Sequence, residues 1–379
     1  MVKLAYAHDG TSVYDMLFLK RLTKENTVYF LTFNKNPRFV SSETIVKKMP
    51  WSVSAESKTE GLYMYALCLL RALLLRVYLN RIKPHLVLGC MATKYGFYSA
   101  LSGFKPFILI VWGSDILIAP KRFFFFRFMA KFALKKADAV IVDSKVQRDA
   151  AIQLGCSPRK ILKFPWFDLD DVHVKTCRNK IREELGWRKN PIIICVRRHD
   201  LIWGVQYLIE AIPQVISVIP ESRFLILGKG QLSERFKRRV KELGMGKYVK
   251  FMGQLPREDV IAYLNAADVY VSASLSDGTS ASLLEAMTLG LPPIVTDIPG
   301  NLEWVRNDWN GYLVPVRSSQ GIAEKIVLLI KDRNLRRRTG KNASKTVETK
   351  VDWRKNSKAL SNLIWGLVKE KGAQDEDEA

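Results

Sequence analysis

The sequence predicts an α/β protein built from two successive Rossmann-like domains. Three observations predict it. Short apolar runs alternate with amphipathic stretches along most of the chain, which is the βαβ rhythm of a doubly wound parallel sheet. The rhythm pauses once, around 164–174 (Phe-Pro-Trp-Phe-Asp-Leu-Asp-Asp-Val within it), and then resumes. The length, 379 residues, suits two domains of ordinary size.

The elements follow in order. Leu4–Ala7, Val28–Phe33, Leu86–Gly89, Phe107–Val111 and Ala139–Val142 read as strands of the first domain. Asp15–Thr23, Tyr95–Leu101 and Phe124–Lys136 read as its helices. After the pause come strands Ile192–Val196, Arg223–Leu227, Val249–Phe251, Val269–Ser272 and Pro293–Thr296. They alternate with helices over 204–217, 231–243, 257–266 and 282–289. A last amphipathic helix spans Val351–Lys369, and the acidic tail from Asp375 to Glu378 is expected to be disordered. The expected division is 1–170, 171–350 and 351–379. Ligands of such sheets bind at the carboxyl ends of the strands, so a ligand held between two facing domains is the expectation.

Composition excludes several classes. The N-terminal apolar run is too short for a secretory signal. Arg71 and Arg76 interrupt the longest apolar stretch, Leu62–Leu79, which argues against a membrane span. Cys68, Cys90, Cys156, Cys177 and Cys195 form no C-x-x-C pair, and His is scarce, so neither a disulfide frame nor a metal centre is expected. Asp168-Leu169-Asp170 has the form of a metal-binding D-x-D but falls in the linker, and no metal role is assigned to it.

The net charge is +23 and leans N-terminal, with 26 Lys+Arg against 12 Asp+Glu over residues 1–170. Such a field attracts nucleic acid or an anionic membrane. The Phe-rich stretch 121–136 is basic and amphipathic as a helix, suited to a lipid interface. No nucleic-acid motif accompanies the charge, so no nucleic-acid partner is expected. A cytoplasmic protein, peripheral on the inner face of a membrane, is the expected location. The plain alternative is a core helix with a solvated basic rim.

The most informative stretch runs from Ser272 to Pro315. Small residues Asp277-Gly278-Thr279-Ser280-Ala281-Ser282 lead into Leu283-Leu284-Glu285-Ala286-Met287. Unpaired amides at a loop and helix start favour phosphate. Acids at 277 and 285 bracket that place, as suits a diphosphate with hydroxyl-bearing groups on either side. A nucleotide-sugar is such a ligand. A Ser/Thr cap beside a surface Asp and a buried Glu is the plain alternative.

This segment resembles the donor signature of family 4 (group 1) retaining glycosyltransferases, which have the GT-B fold. The family's E-x7-E stands here as D-x7-E, from Asp277 to Glu285. Gly290-Leu291-Pro292-Pro293-Ile294-Val295 and Asn310-Gly311-Tyr312-Leu313-Val314-Pro315 resemble its continuation. Val196-Arg197-Arg198-His199-Asp200-Leu201-Ile202-Trp203-Gly204 is similar to G-R-L-x-x-x-K-G, with Arg198 on the Arg, Arg197 on the Gly and Trp203 on the Lys. An indole supplies no cation, so either Arg197 or Lys229 compensates or the helix-start amides carry more of the diphosphate. Gly228-Lys229-Gly230 resembles the family's G-x-G turn. Phe251-Met252-Gly253 resembles its nucleobase-lining segment. Trp112-Gly113-Ser114-Asp115 resembles H-G-S-D, with Trp112 for His. Pro165-Trp166-Phe167-Asp168 resembles the P-x-G-V-D linker. His8 follows the first strand, where an acceptor could enter.

The resemblance implies two Rossmann-like domains facing across a cleft, with the last helix crossing back to the first. It implies a metal-independent enzyme that moves a sugar from a nucleoside-diphosphate sugar to an acceptor hydroxyl with retention. The basic segment suggests a lipid-linked or cell-envelope glycan acceptor. The expected catalytic residues are Asp277, Glu285, Arg198 and Asp115. The expected donor contacts are Arg197, Lys229, Gly230, Met252, Gly278, Thr279, Ser280, Ser282 and Leu283. Two other readings remain: a GT-B nucleotide-sugar epimerase, and a degenerate, non-catalytic transferase, which Trp112 and Trp203 favour.

Overall fold

Short apolar runs become parallel strands in both halves of the chain. The computed structural model describes residues 1–11, 13–37, 40–53 and 62–377. It contains two units, Met1–Trp166 with Arg354–Ala379, and Phe167–Trp353.

The first unit is built on β1 (Val2–Ala7), β2 (Asn26–Asn34), β3 (Ile45–Val53), β4 (Leu86–Cys90), β5 (Phe107–Ile110), β6 (Ala139–Val142) and β7 (Ile161–Lys163). All pair in parallel, in the order β3-β2-β1-β4-β5-β6-β7. Leu4 is registered against Val28 on one side and Leu86 on the other. Strands β4 to β6 are buried at every residue, because helices cover both faces of a parallel sheet.

The second unit is built on β8 (Ile192–Val196), β9 (Arg223–Leu227), β10 (Val249–Gly253), β11 (Val269–Ser272), β12 (Pro293–Thr296) and β13 (Tyr312–Val314). Their order is β10-β9-β8-β11-β12-β13, again all parallel. The strand order reverses between β8 and β11. Loops leave that point in opposite directions and open a crevice beyond the strand ends.

Strands β3, β7 and β13 were not legible in the sequence. β3 carries Lys47, Lys48 and Pro50, and it lies at the sheet edge, where such residues are tolerated. The apolar stretch near 62–79 is a helix, Leu62–Ile82, that buries Cys68, Ala72, Leu75 and Leu79 in the first unit's core. Among the described residues no helix is long and apolar enough to cross a membrane. The acidic tail departs from its expectation. The helix Trp353–Asp377 continues into it, and Glu378 lies outside the described residues. Earlier turns of that helix are fixed by burial of Leu360 and Ile364, so the ordered backbone propagates outward. All five cysteines are free thiols.

Two glycines carry the crevice. Gly204 has φ +68°, and a Cβ there would lie 1.8 Å from the carbonyl oxygen of Ala273. Gly228 has φ +122°, and its Cβ would lie 1.9 Å from the carbonyl oxygen of Arg197.

Candidate active site

Strand β8 ends at Val196, and the next two residues turn to opposite sides, as extended backbone requires. Arg197 turns inward. Its Nε donates to Ser272 Oγ at 2.8 Å, one Nη to Asp277 Oδ2 at 2.8 Å, and the other Nη to Ser280 Oγ at 2.6 Å. The Trp203 ring centre lies 5.4 Å from the guanidinium carbon, so an aromatic face covers the cation. Burial works against the charge on Arg197, but Tyr270 and Asp277 more than offset it and hold its pKa above that of ordinary arginine. Burial pushes the Asp277 carboxyl up, while Arg197 and the Gly278 amide pull it back. Because a guanidinium does not give up its proton, the two form a buried ion pair.

Arg198 turns outward. Its side chain is 73% exposed and pairs with Asp200 at 3.0 Å. Of the two adjacent arginines, Arg197 is therefore the cation beside the acidic loop. Alternation along the extended backbone decides which of the two takes that place, and the motif alignment could not.

The helix Ala281–Thr288 starts at the crevice. Ser280 is its N-cap and accepts the Leu283 N–H at 3.3 Å. The Leu283 amide is therefore taken, contrary to the expectation that it is open to a ligand. Ala281 and Ser282 occupy the first two helical positions, whose N–H groups have no acceptor inside the helix. The Ser282 hydroxyl is spent on structure: it bonds Tyr270 OH at 2.8 Å and donates to the Val196 carbonyl at 3.1 Å. Gly300 lets the loop pack closely, since a Cβ there would lie 2.2 Å from the Gly278 carbonyl oxygen. Thr279 Oγ1 accepts the Trp304 indole N–H at 3.4 Å.

Glu285 lies one turn further along the helix and is buried. Arg257, in the first turn of the helix Arg257–Ala266, donates to its Oε1 at 2.9 Å and to the Asp171 carbonyl at 2.9 Å. Burial pushes the Glu285 carboxyl up, and Arg257 opposes this. The other oxygen, Oε2, has no protein partner among the described residues, yet it is not one of the enclosed orphan atoms. It therefore keeps some contact with solvent. Arg257 was missed by the sequence reading. It stands 28 residues from Glu285, a separation without a fixed spacing rule.

The remaining candidates line the same sheet. Lys229 is exposed in the turn after β9, its carbonyl accepting the His199 N–H at 3.4 Å. The Gly230 N–H donates to Ser233 Oγ at 3.0 Å. Met252 is half-buried on β10, and the neighbouring Gly253 carbonyl accepts the Gly228 N–H at 2.7 Å.

Asp115 belongs to the first unit. Its Oδ2 accepts the Ala92 N–H at 2.7 Å and its Oδ1 the Trp112 N–H at 3.0 Å. It is fully buried, and burial pushes its carboxyl up. Such a group ties two strand-end loops together.

The family model described as "Glycosyl transferases group 1" matches residues 178–346, and "Glycosyl transferase 4-like" matches residues 3–144. An uncharacterised glycosyltransferase of Methanocaldococcus jannaschii is 29% identical over 251 residues, covering 65% of this chain and 63% of that protein. The UDP-Gal:alpha-D-GlcNAc-diphosphoundecaprenol alpha-1,3-galactosyltransferase of Escherichia coli is 27% identical over 219 residues, 58% of this chain and 57% of its own length. These alignments span less than two thirds of the relatives' own lengths. Sucrose-phosphate synthase from Thermosynechococcus elongatus superposes with a TM-score of 0.81 at 19% identity, over 98% of this chain and all of that one. Anabaena HepE, solved with UDP and glucose, gives 0.78 at 18% identity, over 97% of this chain and all of its own. At these identities the structures establish the two-domain GT-B architecture.

Proposed function

The chain belongs to the group 1 (family 4) glycosyltransferases, and from that premise we propose that it moves a sugar from a nucleoside-diphosphate sugar to an acceptor hydroxyl with retention. One observation carries the reading: Glu285 keeps a carboxylate oxygen without a protein partner among the described residues, one turn into a helix whose start holds a buried cation and two amides without acceptors inside the helix. A carboxylate there accepts hydrogen bonds from ribose hydroxyls. The amides of Ala281 and Ser282, with Arg197 and the exposed Arg198, stabilise a diphosphate.

In the step proposed, the bond from the anomeric carbon to the phosphate oxygen breaks. A bond from the acceptor oxygen to that carbon forms on the same face. The acceptor proton passes to the departing phosphate oxygen. Negative charge grows on the diphosphate as the bond breaks, so donors already aimed there lower the barrier. The cations and amides supply this positive potential, and the proposed reaction needs no divalent ion.

A thermal-shift panel of UDP, GDP, ADP and TDP in buffer containing EDTA tests the reading. One of them raises Tm, since a ligand specific for the native state stabilises it. No shift with any of the four removes the proposal. Arg198→Ala is expected to change stability by less than about 0.5 kcal/mol, because its ion pair is exposed. It weakens the selected nucleotide about tenfold by calorimetry, the effect of losing one charge-assisted contact.

A degenerate site is favoured by one observation, the Arg197 guanidinium already paired with Asp277. Measured transfer from any nucleotide-sugar excludes it.

We also propose an anionic membrane as the working surface and a lipid-linked or envelope glycan as the acceptor. Phe123, Phe124 and Phe128 are 51%, 77% and 54% exposed. Lys121, Arg122, Arg127 and Lys131 surround them, all exposed. Leu69, Leu73 and Val77 form an exposed apolar row on Leu62–Ile82, a helix without a single acid. Both helices pack against Tyr95–Ser102. Apolar side chains beside charge of one sign suit an anionic interface, each Lys or Arg contributing about 1 kcal/mol near it. The protein should float with phosphatidylglycerol vesicles at low salt, and Phe124→Glu with Phe128→Glu should abolish flotation. Failure of the wild type to float removes the membrane from the proposal.

A further inference from the structure

The first unit contains a cation that has no counter-charge among the described residues. Arg71 lies in the middle of the helix Leu62–Ile82. Its Nη1 donates to Tyr98 OH at 3.4 Å, and its guanidinium carbon lies 5.2 Å from the centre of the Phe33 ring. Nε and Nη2 are enclosed and have no hydrogen-bond partner. No carboxylate pairs with Arg71 among the described residues. The polar groups beside it offer no negative charge, because burial pushes both the Tyr98 phenol and the Cys68 thiol up. An enclosed guanidinium is ordinarily paired, since removing its hydration without replacement is destabilising.

Its surroundings are the carboxyl ends of β1 and β2. Phe33 is the penultimate residue of β2, and its N–H donates to Tyr95 OH at 2.9 Å. The Tyr95 ring lies 6.1 Å from His8, which follows β1 and stacks on Trp112 at 5.5 Å. Lys94 stands at the start of Tyr95–Ser102, its Nζ 3.6 Å from Asp9. Strand ends near the reversal of a parallel sheet are where ligands dock. Here that reversal lies between β1 and β4.

We propose that this edge of the first unit binds a phosphate or diphosphate group carried by the acceptor, with Arg71 as its principal cation. Naming the ligand as the acceptor rests on the transferase reading; the anion site does not. Nε and Nη2 form the edge of a guanidinium that takes two phosphate oxygens in parallel. Arg71 is only partly enclosed as a residue, so rotation of its long side chain turns that edge toward a ligand.

The test uses the full chain saturated with the nucleoside diphosphate selected by the thermal-shift panel, so that the second unit's site is filled. It is titrated calorimetrically with inorganic pyrophosphate. Separately, it is mixed with phosphatidylcholine vesicles carrying undecaprenyl diphosphate. Wild type binds at least one of these probes, and Arg71→Met binds that probe at least about tenfold more weakly. Nucleotide affinity stays within about twofold in the variant. Pyrophosphate binding alone supports a soluble phosphorylated acceptor, and vesicle binding supports a lipid-linked one. Absence of both, or equal binding by Arg71→Met, overturns the proposal. Tm without ligand gives an independent readout. A cation kept for a ligand burdens the free protein, so Arg71→Met should raise Tm by about 2 °C or more. A lower Tm would make Arg71 structural and would overturn the proposal. If no nucleotide binds while pyrophosphate does, the transferase reading fails and the anion site stands.

Discussion

Glu285→Gln is expected to lower glycosyl transfer by about two orders of magnitude or more, a loss near 2.7 kcal/mol of transition-state stabilisation. Glutamine keeps the shape and keeps an acceptor for Arg257 Nε. It removes the negative charge and, with it, the stronger hydrogen bonds that a carboxylate accepts from hydroxyls. The loss should appear largely in kcat/KM, since a misplaced nucleoside misplaces the diphosphate and the reacting carbon with it. Arg257 loses its counter-charge but retains the Asp171 carbonyl, so the cost in stability should stay near 1–3 kcal/mol. Wild-type turnover by a folded Glu285→Gln protein would remove this residue from the donor site.

Arg197→Met should be the most destabilising single change in the second unit. It strands Asp277, whose side chain is 13% exposed, beside Ser272 and Ser280 with no counter-charge. Breaking a buried pair from one side costs about 3–5 kcal/mol. At roughly 2–4 °C per kcal/mol for a domain of this size, Tm falls on the order of 10 °C. Removing both charges in Arg197→Met with Asp277→Asn should recover a large part of that loss, because the pair's desolvation is removed with its attraction. Both proteins should lose transfer activity. A Tm for Arg197→Met equal to that of wild type would show that the ion pair contributes nothing to the native state.

The two arginines also mark the boundary of what the sequence could show. Their presence after β8, the D-x7-E spacing and the Ser cap were legible, because each is a local pattern set by strand or helix period. The choice between Arg197 and Arg198 was not, since it depends on which side of β8 faces the helix Ala281–Thr288. Arg257 was invisible for the same reason. Its partner is brought to it by the packing of Arg257–Ala266 against Ala281–Thr288. Strand β3 was missed because an edge strand tolerates charge and Pro, and β7 and β13 because three residues are too few to show a period. The acidic tail was misread because charge density opposes a core but does not oppose continuation of a helix already anchored at Leu360 and Ile364.

The sequence by itself determined the two successive α/β units, the positions of most of their strands along the chain and the loop-helix that resembles the family's donor signature. These follow from periodicity and spacing, which act over a few residues. Only the tertiary structure decided that Asp277 is an ion-paired acid, that Asp115 ties loops together, and that among the described residues Glu285 is held on one oxygen alone and Arg71 has no counter-charge. Charge pairing depends on distances across the fold, and burial sets how much each pairing matters; neither quantity is written along the chain.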